Sequence, residues 1–173
     1  ILERYISANY QSYNEMNGDN INDVFVDESK RIWLANYPTG ITVIDYRYEN
    51  YHWMKHSMGN KQSIVNDQVH AVIEDSDGDL WFGTSNGISL YNSGTGEWHS
   101  FLSSFNHQLK DKNHIFITLC EVSPGIIWAG GYTSGIYKIN KADLSVEYFS
   151  PYLLSHINMR PDKYIRDMIK DSK

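Results

Sequence analysis

Trp33, Trp81 and Trp128 stand 48 and 47 residues apart, and the residues around them repeat with the same period. Self-similarity at a fixed period constrains a fold more tightly than composition, because each copy must be a unit that buries its apolar face against the next. Each tryptophan is followed by a Gly-Ile pair: Gly40-Ile41, Gly87-Ile88 and Gly135-Ile136. Twelve residues before each lies an apolar position, Ile21, Val69 or Phe116, that opens a β-type stretch. Met54, Phe101 and Phe149 close the three copies.

This register predicts four short strands per copy. In the middle copy they are Val69 to Glu74, Asp79 to Gly83, Gly87 to Tyr91 and Trp98 to Phe101. The first copy gives Ile21 to Val26, Arg31 to Ala35, Gly40 to Ile44 and Tyr51 to Met54; the third gives Phe116 to Glu121, Ile126 to Gly130, Gly135 to Ile139 and Val146 to Phe149. All are rich in β-branched and aromatic residues and bounded by turn chemistry such as Asp77-Gly78 and Ser93-Gly94-Thr95-Gly96. Helical repeats would need apolar residues at i, i+3, i+4 and i+7, and no such run is present. Four antiparallel strands in about 40–50 residues describe a β-propeller blade.

The fold class expected is therefore all-β: an incomplete propeller arc of about three and a half four-stranded blades, where complete rings carry about four to eight. Blades are placed at 18–54, 66–101 and 113–149. Residues 1–6 read as the outer strand of a preceding blade, and 163–171 as the inner strand of a following one. The chain starts at Ile1 with no initiator Met and no signal peptide, and reads as a piece of something larger. An open arc exposes strand edges and blade faces, so self-association of the isolated piece is expected.

Charge narrows the partners. Fifteen basic and twenty-one acidic side chains give a net charge of −6, which argues against a phosphate-tracking surface and hence against nucleic acid. Apolar runs are only a few residues long, so no segment is expected to insert in a bilayer. The single cysteine, Cys120, excludes an internal disulfide and a thiolate cage, and its innermost-strand column suits a small buried apolar side chain.

Candidate chemistry is sparse. Asp75, Asp77 and Asp79 imitate the start of a calcium loop, but the sixth position is Leu80 rather than Gly and the twelfth is Asn86 rather than Glu. A hairpin turn is the better reading. The seven histidines show no zinc-ligand spacing and no Gly-x-Ser-x-Gly elbow exists, so neither metal, cofactor nor catalytic residue is expected.

Residues that differ between copies are freer to bind something than residues all copies share. One inner-strand column reads Asn22, His70, Ile117, Arg166, and its neighbour reads Asp23, Ala71, Thr118, Asp167. Strand alternation should turn one of these columns toward the central channel. Loops between second and third strands, which share a face of the disc with the loops entering each blade, carry Asn36-Tyr37, Asn86 and Tyr132. Planar hydrogen-bonding groups and aromatic faces are what sugars need. The candidate ligand-binding residues are thus Asn22, Asn36, Tyr37, His70, Asn86, Tyr132 and Arg166.

The string from Asn66 to Ile88, with Asp75, Gly78, Leu80-Trp81, Gly83-Thr84 and Gly87, resembles the two-component regulator propeller repeat. The first copy departs at Lys30 and Ala35-Asn36, and the third at Val122 and Gly130-Gly131. The resemblance implies a seven-bladed ring in the periplasmic sensor region of a Bacteroidetes hybrid two-component system, whose parent chain carries a second propeller, a β-sandwich, a membrane helix and a histidine kinase. It further implies a non-enzymatic part that senses oligosaccharides and controls polysaccharide-utilisation genes. Two readings stand beside it: a propeller scaffold that binds only proteins, and a propeller lyase or glycosidase with catalytic residues scattered over blades.

Overall fold

The computed structural model describes residues 20–45, 50–104, 114–149 and 164–171. Twelve strands form three four-stranded antiparallel sheets, each in sequence order. Blade 1 holds β1 (Asn20–Val26), β2 (Ile32–Tyr37), β3 (Gly40–Asp45) and β4 (Asn50–Met54). Blade 2 holds β5 (Val69–Glu74), β6 (Leu80–Thr84), β7 (Gly87–Tyr91) and β8 (Trp98–Phe101). Blade 3 holds β9 (Phe116–Ser123), β10 (Ile126–Gly131), β11 (Ile136–Asn140) and β12 (Ser145–Phe149). The expected strand of residues 1–6 lies outside the described residues.

Period-two alternation explains why the sheets stack face to face. On β6, Leu80 and Phe82 join a core with Trp33, Ile41 and Val43 of blade 1, while Trp81 between them joins a core with Phe116, Ile127 and Ile139 of blade 3. Both faces of blade 2 are therefore buried, and its second strand reads as a continuous apolar run. Trp33 and Trp81 are essentially inaccessible, and each packs across the seam toward the following blade. Truncating either to Ala would cost about 3–5 kcal/mol.

The Gly-Ile pairs have a local cause. Gly87 opens β7 with φ +101°, and a Cβ there would stand 2.5 Å from the Phe101 carbonyl oxygen. Gly40 repeats this with φ +97° and 2.8 Å to the Met54 carbonyl oxygen. Only glycine lets the third strand begin this close to the end of the fourth.

The inner strands depart from simple alternation. Pairing of β1 with β2 skips between Ile21 and Asp23, that of β5 with β6 between Val69 and Ala71, and that of β9 with β10 between Phe116 and Thr118. One extra residue, Asn22, His70 or Ile117, is bulged out in each blade. The column that varies most between copies is thus a column of β-bulges, a device that re-aims a side chain without moving the rest of the ladder.

Two expectations need correction. Residues 164–171, read as an inner strand, have no strand pairing, because no second strand of their own blade lies among the described residues to complete a ladder. They are nonetheless seated like one: the Ile165 amide approaches the Gly131 carbonyl at 3.3 Å, and the Ile165 side chain lies over Gly130. The second correction concerns β2, which continues two residues past Ala35. Asn36 is therefore a paired strand residue opposite Gly40 rather than a loop residue.

Candidate functional site

The two ends of the inner strands differ in kind. At the end where β5 runs into β6, Asp75 is buried and organises the hairpin. Its carboxylate accepts the amides of Asp77 and Asp79, each at 3.0 Å, and the Trp81 indole N–H at 2.8 Å. Lys141, from the β11–β12 turn of blade 3, places its ammonium 2.7 Å from Asp75, 2.8 Å from Asp77 and 2.8 Å from Asp79. The three carboxylates that imitate a calcium loop thus already surround a cation, one tethered to the neighbouring blade. Burial alone would raise the Asp75 pKa; the Lys141 ammonium, the Trp81 N–H and the Asp79 amide outweigh it and hold the carboxyl below the ordinary range. Burial likewise opposes ionisation of Lys141, and the three carboxylates overcome it, pushing its pKa up.

Blade 1 repeats the hairpin with Asp27, which accepts the Trp33 N–H at 3.0 Å and pairs with Arg31. In blade 3, Val122 occupies this position and is bulged out by a second register shift, which leaves Ser123 opposite Ile126 and Glu121 opposite Ile127. Glu121 takes over: it accepts the Gly125 amide at 2.9 Å and the amide and hydroxyl of Ser76 across the seam. Between these hairpins runs an open groove of about 480 Å³ flanked by Phe25, Glu28, Glu74 and Glu121. Burial first, then the nearby Asp27 and Glu28, raises the Glu74 pKa. Among the described residues no cluster of His, Cys, Asp and Glu is arranged to hold a metal ion.

The opposite end carries the sequence-derived candidates, and they fall into two groups with two outliers. Across the seam between blades 1 and 2, the Asn22 amide donates to the Val69 carbonyl at 3.0 Å and stands 3.4 Å from His70 Nδ1. His70 Nε2 lies 2.8 Å from Ser85 Oγ, and the His70 ring sits 5.9 Å from the Tyr37 ring, tilted by 34°. With Nδ1 accepting from Asn22, the Nε2–H tautomer donates to Ser85. Burial lowers the His70 pKa, so the ring is neutral near pH 7. Asn22, Tyr37, His70 and Ser85 thus form an uncharged patch of two rings, an amide and a hydroxyl, drawn from both bulges, the end of β2 and the β6–β7 turn. Asp23, one residue from Asn22, reaches across the same seam to accept the Val72 amide at 3.0 Å. Burial raises its pKa despite that bond, with Asp167 adding to the rise.

The second group lies beyond blade 3. Tyr132 packs edge-on to Tyr164, with ring centroids 4.8 Å apart at 86°, and the Arg166 guanidinium sits 5.3 Å above the Tyr164 ring. Tyr132 occupies the position of Tyr37, and Arg166 the column of His70, so the two groups are equivalent places on two seams with the blade 2–blade 3 seam between them.

The outliers are asparagines. Asn36 is buried and donates to Thr42 Oγ1 at 2.6 Å, and Asn86 accepts the Ser104 amide at 3.0 Å to pin the loop that leaves blade 2. Asn36 is therefore withdrawn from the surface, whereas Asn86 stays partly exposed with its oxygen engaged by Ser104. Sequence reasoning missed Ser85 and Tyr164, although Ser85 shares the turn column of Tyr37 and Tyr132. Cys120 is half-buried on β9, and burial first raises its thiol pKa.

Four-stranded antiparallel sheets packed face to face, with β5 lying beside β1 on one side and β9 on the other, define an arc of a β-propeller. Residues 63–86, which span the blade 2 hairpin with Asp75 and Trp81, match the two component regulator propeller family. The fold is similar to the extracellular domain of the putative hybrid two component system BT3049 from B. thetaiotaomicron, at 19% identity and a TM-score of 0.66, over 79% of this chain and 19% of that one. The corresponding domain of BT4673 from the same organism gives 19% identity and a TM-score of 0.67, over 92% and 19%. A streptogramin B lyase shares the fold at 17% identity and a TM-score of 0.59, over 77% and 41%. The chain spans about a fifth of the length of the two sensor domains. No curated protein sequence matches it significantly.

Proposed function

We propose that this arc belongs to the periplasmic sensor region of a two-component receptor, and that it recognises an oligosaccharide at the channel mouth to control polysaccharide-utilisation genes. The observation that carries the reading is the uncharged patch of Asn22, Tyr37, His70 and Ser85 on the blade 1–blade 2 seam. Exposed Tyr37 offers an aromatic face, beside an amide, an imidazole and a hydroxyl of the kind that bind sugar hydroxyls. Similarity to sensor ectodomains supports an extracytoplasmic, non-enzymatic role, with the chemistry of the signal residing in a histidine kinase elsewhere in the parent chain. Ligand binding drives signalling only if it favours one arrangement of the receptor over another.

The flank of blade 1 supports a partner of the same kind. Val24 is 46% exposed, whereas Val72, its counterpart one blade on, is 5% exposed beneath blade 1. A neighbouring blade of the parent chain covers Ile21, Val24 and Val26, and the isolated arc associates with itself through them.

Calorimetric titration of the complete ectodomain against glycan digests tests the reading. Saccharide binding weakened by His70→Ala and Tyr37→Ala supports it. Binding indifferent to both moves the site off this seam, and no glycan binding favours a scaffold that docks only proteins.

A further inference from the structure

We infer that Tyr132, Tyr164 and Arg166 form an anion-binding subsite at the mouth, so that the ligand is an acidic oligosaccharide carrying a carboxylate or sulfate; this rests on the oligosaccharide reading above. The seam beyond blade 3 repeats the geometry of the blade 1–blade 2 seam with different chemistry. Tyr132 meets a ring of the next segment as Tyr37 does, here Tyr164 two residues before the column, and the column residue over that ring is a guanidinium instead of an imidazole.

Three features make Arg166 a receptor for an anion instead of a structural pairing. It is exposed, and no carboxylate pairs with it among the described residues, whereas Arg31, Lys138 and Lys141 all have acidic partners. The carboxylates of the adjoining column are engaged elsewhere: Asp167 accepts the Met168 amide at 2.8 Å, and Asp23 accepts the amides of Val24 and Val72. Its plane is supported by Tyr164, which is itself braced edge-on by Tyr132, so the fork is partly oriented before a ligand arrives. Guanidinium geometry suits bidentate contact with a carboxylate or sulfate, and the 45%-exposed Tyr132 offers a flank for the sugar ring that bears it. The intervening seam, with Ser85 and Ile117 in the corresponding places, has neither charge nor a second ring. The two ring-bearing seams therefore differ in one group, an imidazole between blades 1 and 2 and a guanidinium beyond blade 3.

The test titrates the complete ectodomain with uronate and sulfated oligosaccharides from glycan digests, each beside its carboxyl-reduced or desulfated form. The acidic member should bind at least about tenfold tighter, as one charge-assisted contact implies. Arg166→Gln should abolish that preference, Arg166→Lys should restore part of it, and added salt should erode it. Equal affinity for acidic and neutral members, or a preference that survives Arg166→Gln, overturns the subsite. If neutral saccharides still bind and His70→Ala weakens them, the mouth reading stands while the anion subsite falls. Binding of no saccharide, acidic or neutral, overturns both.

Discussion

Four residues lie between His70 on β5 and Asp75 just past its end, yet the two ends of that strand follow opposite rules. The Asp75 end recurs in blade 1 as Asp27 with Trp33, and its polar atoms are saturated by amides, an indole and a tethered ammonium. The His70 end differs in every copy, sits on a bulge and keeps partly exposed donors, acceptors and rings at the surface. Stability should therefore be concentrated at one end and recognition at the other.

The hardest blow to stability should come from Asp75→Ala, which strands the Asp77 and Asp79 amides and the Trp81 indole and takes one of three carboxylates from Lys141. Removing one partner of such a buried network costs about 3–5 kcal/mol. A chemical denaturation midpoint measures it, and a loss no larger than that of His70→Ala would break the comparison. Next in size is Gly87→Ala, at about 2–4 kcal/mol, because it combines a strained φ with a Cβ driven against the Phe101 carbonyl.

Acid should reveal the same end. Asp27 and Asp75 are held below the ordinary value of 3.8, so the stability they contribute is complete above it and is lost as pH falls through their lower folded values. Melting temperature followed below about pH 4 should drop steeply, and Asp75→Asn should flatten that limb. The smallest stability effects belong to the mouth. Asn36→Ala should cost about 1–2 kcal/mol through its buried bond to Thr42 and leave glycan binding unchanged. Asn22→Ala and His70→Ala should each cost less than about 1 kcal/mol while weakening glycan binding. Should Asn36→Ala weaken binding as much as they do, the division between the two ends would fail.

The strand register, the inter-blade tryptophans and the glycine columns were legible because each repeats and each has a local cause. The Gly-Ile pair marks a positive φ, and alternating apolar residues mark two buried faces. The bulges were not legible, since they arise from pairing between two strands and Asn22, His70 and Ile117 share no residue type. Asn36 misled for a related reason: whether a residue after Ala35 belongs to strand or turn depends on how far β3 keeps pairing with it. The Lys141 clamp lies 62 to 66 residues from its carboxylates, and Tyr164 stands 32 residues from Tyr132. Neither juxtaposition leaves a mark in the local pattern.

The repeated bulge has an evolutionary corollary. Because the extra residue stands outside the ladder, it can change from Asn to His to Ile without shifting any neighbour onto the wrong face of its sheet. A blade can therefore be copied whole with its hairpin fastening, Asp with Trp in blades 1 and 2 and Glu121 in blade 3, while the bulged position is free to differ. A ring assembled this way can vary the side chains of its inner rim one blade at a time.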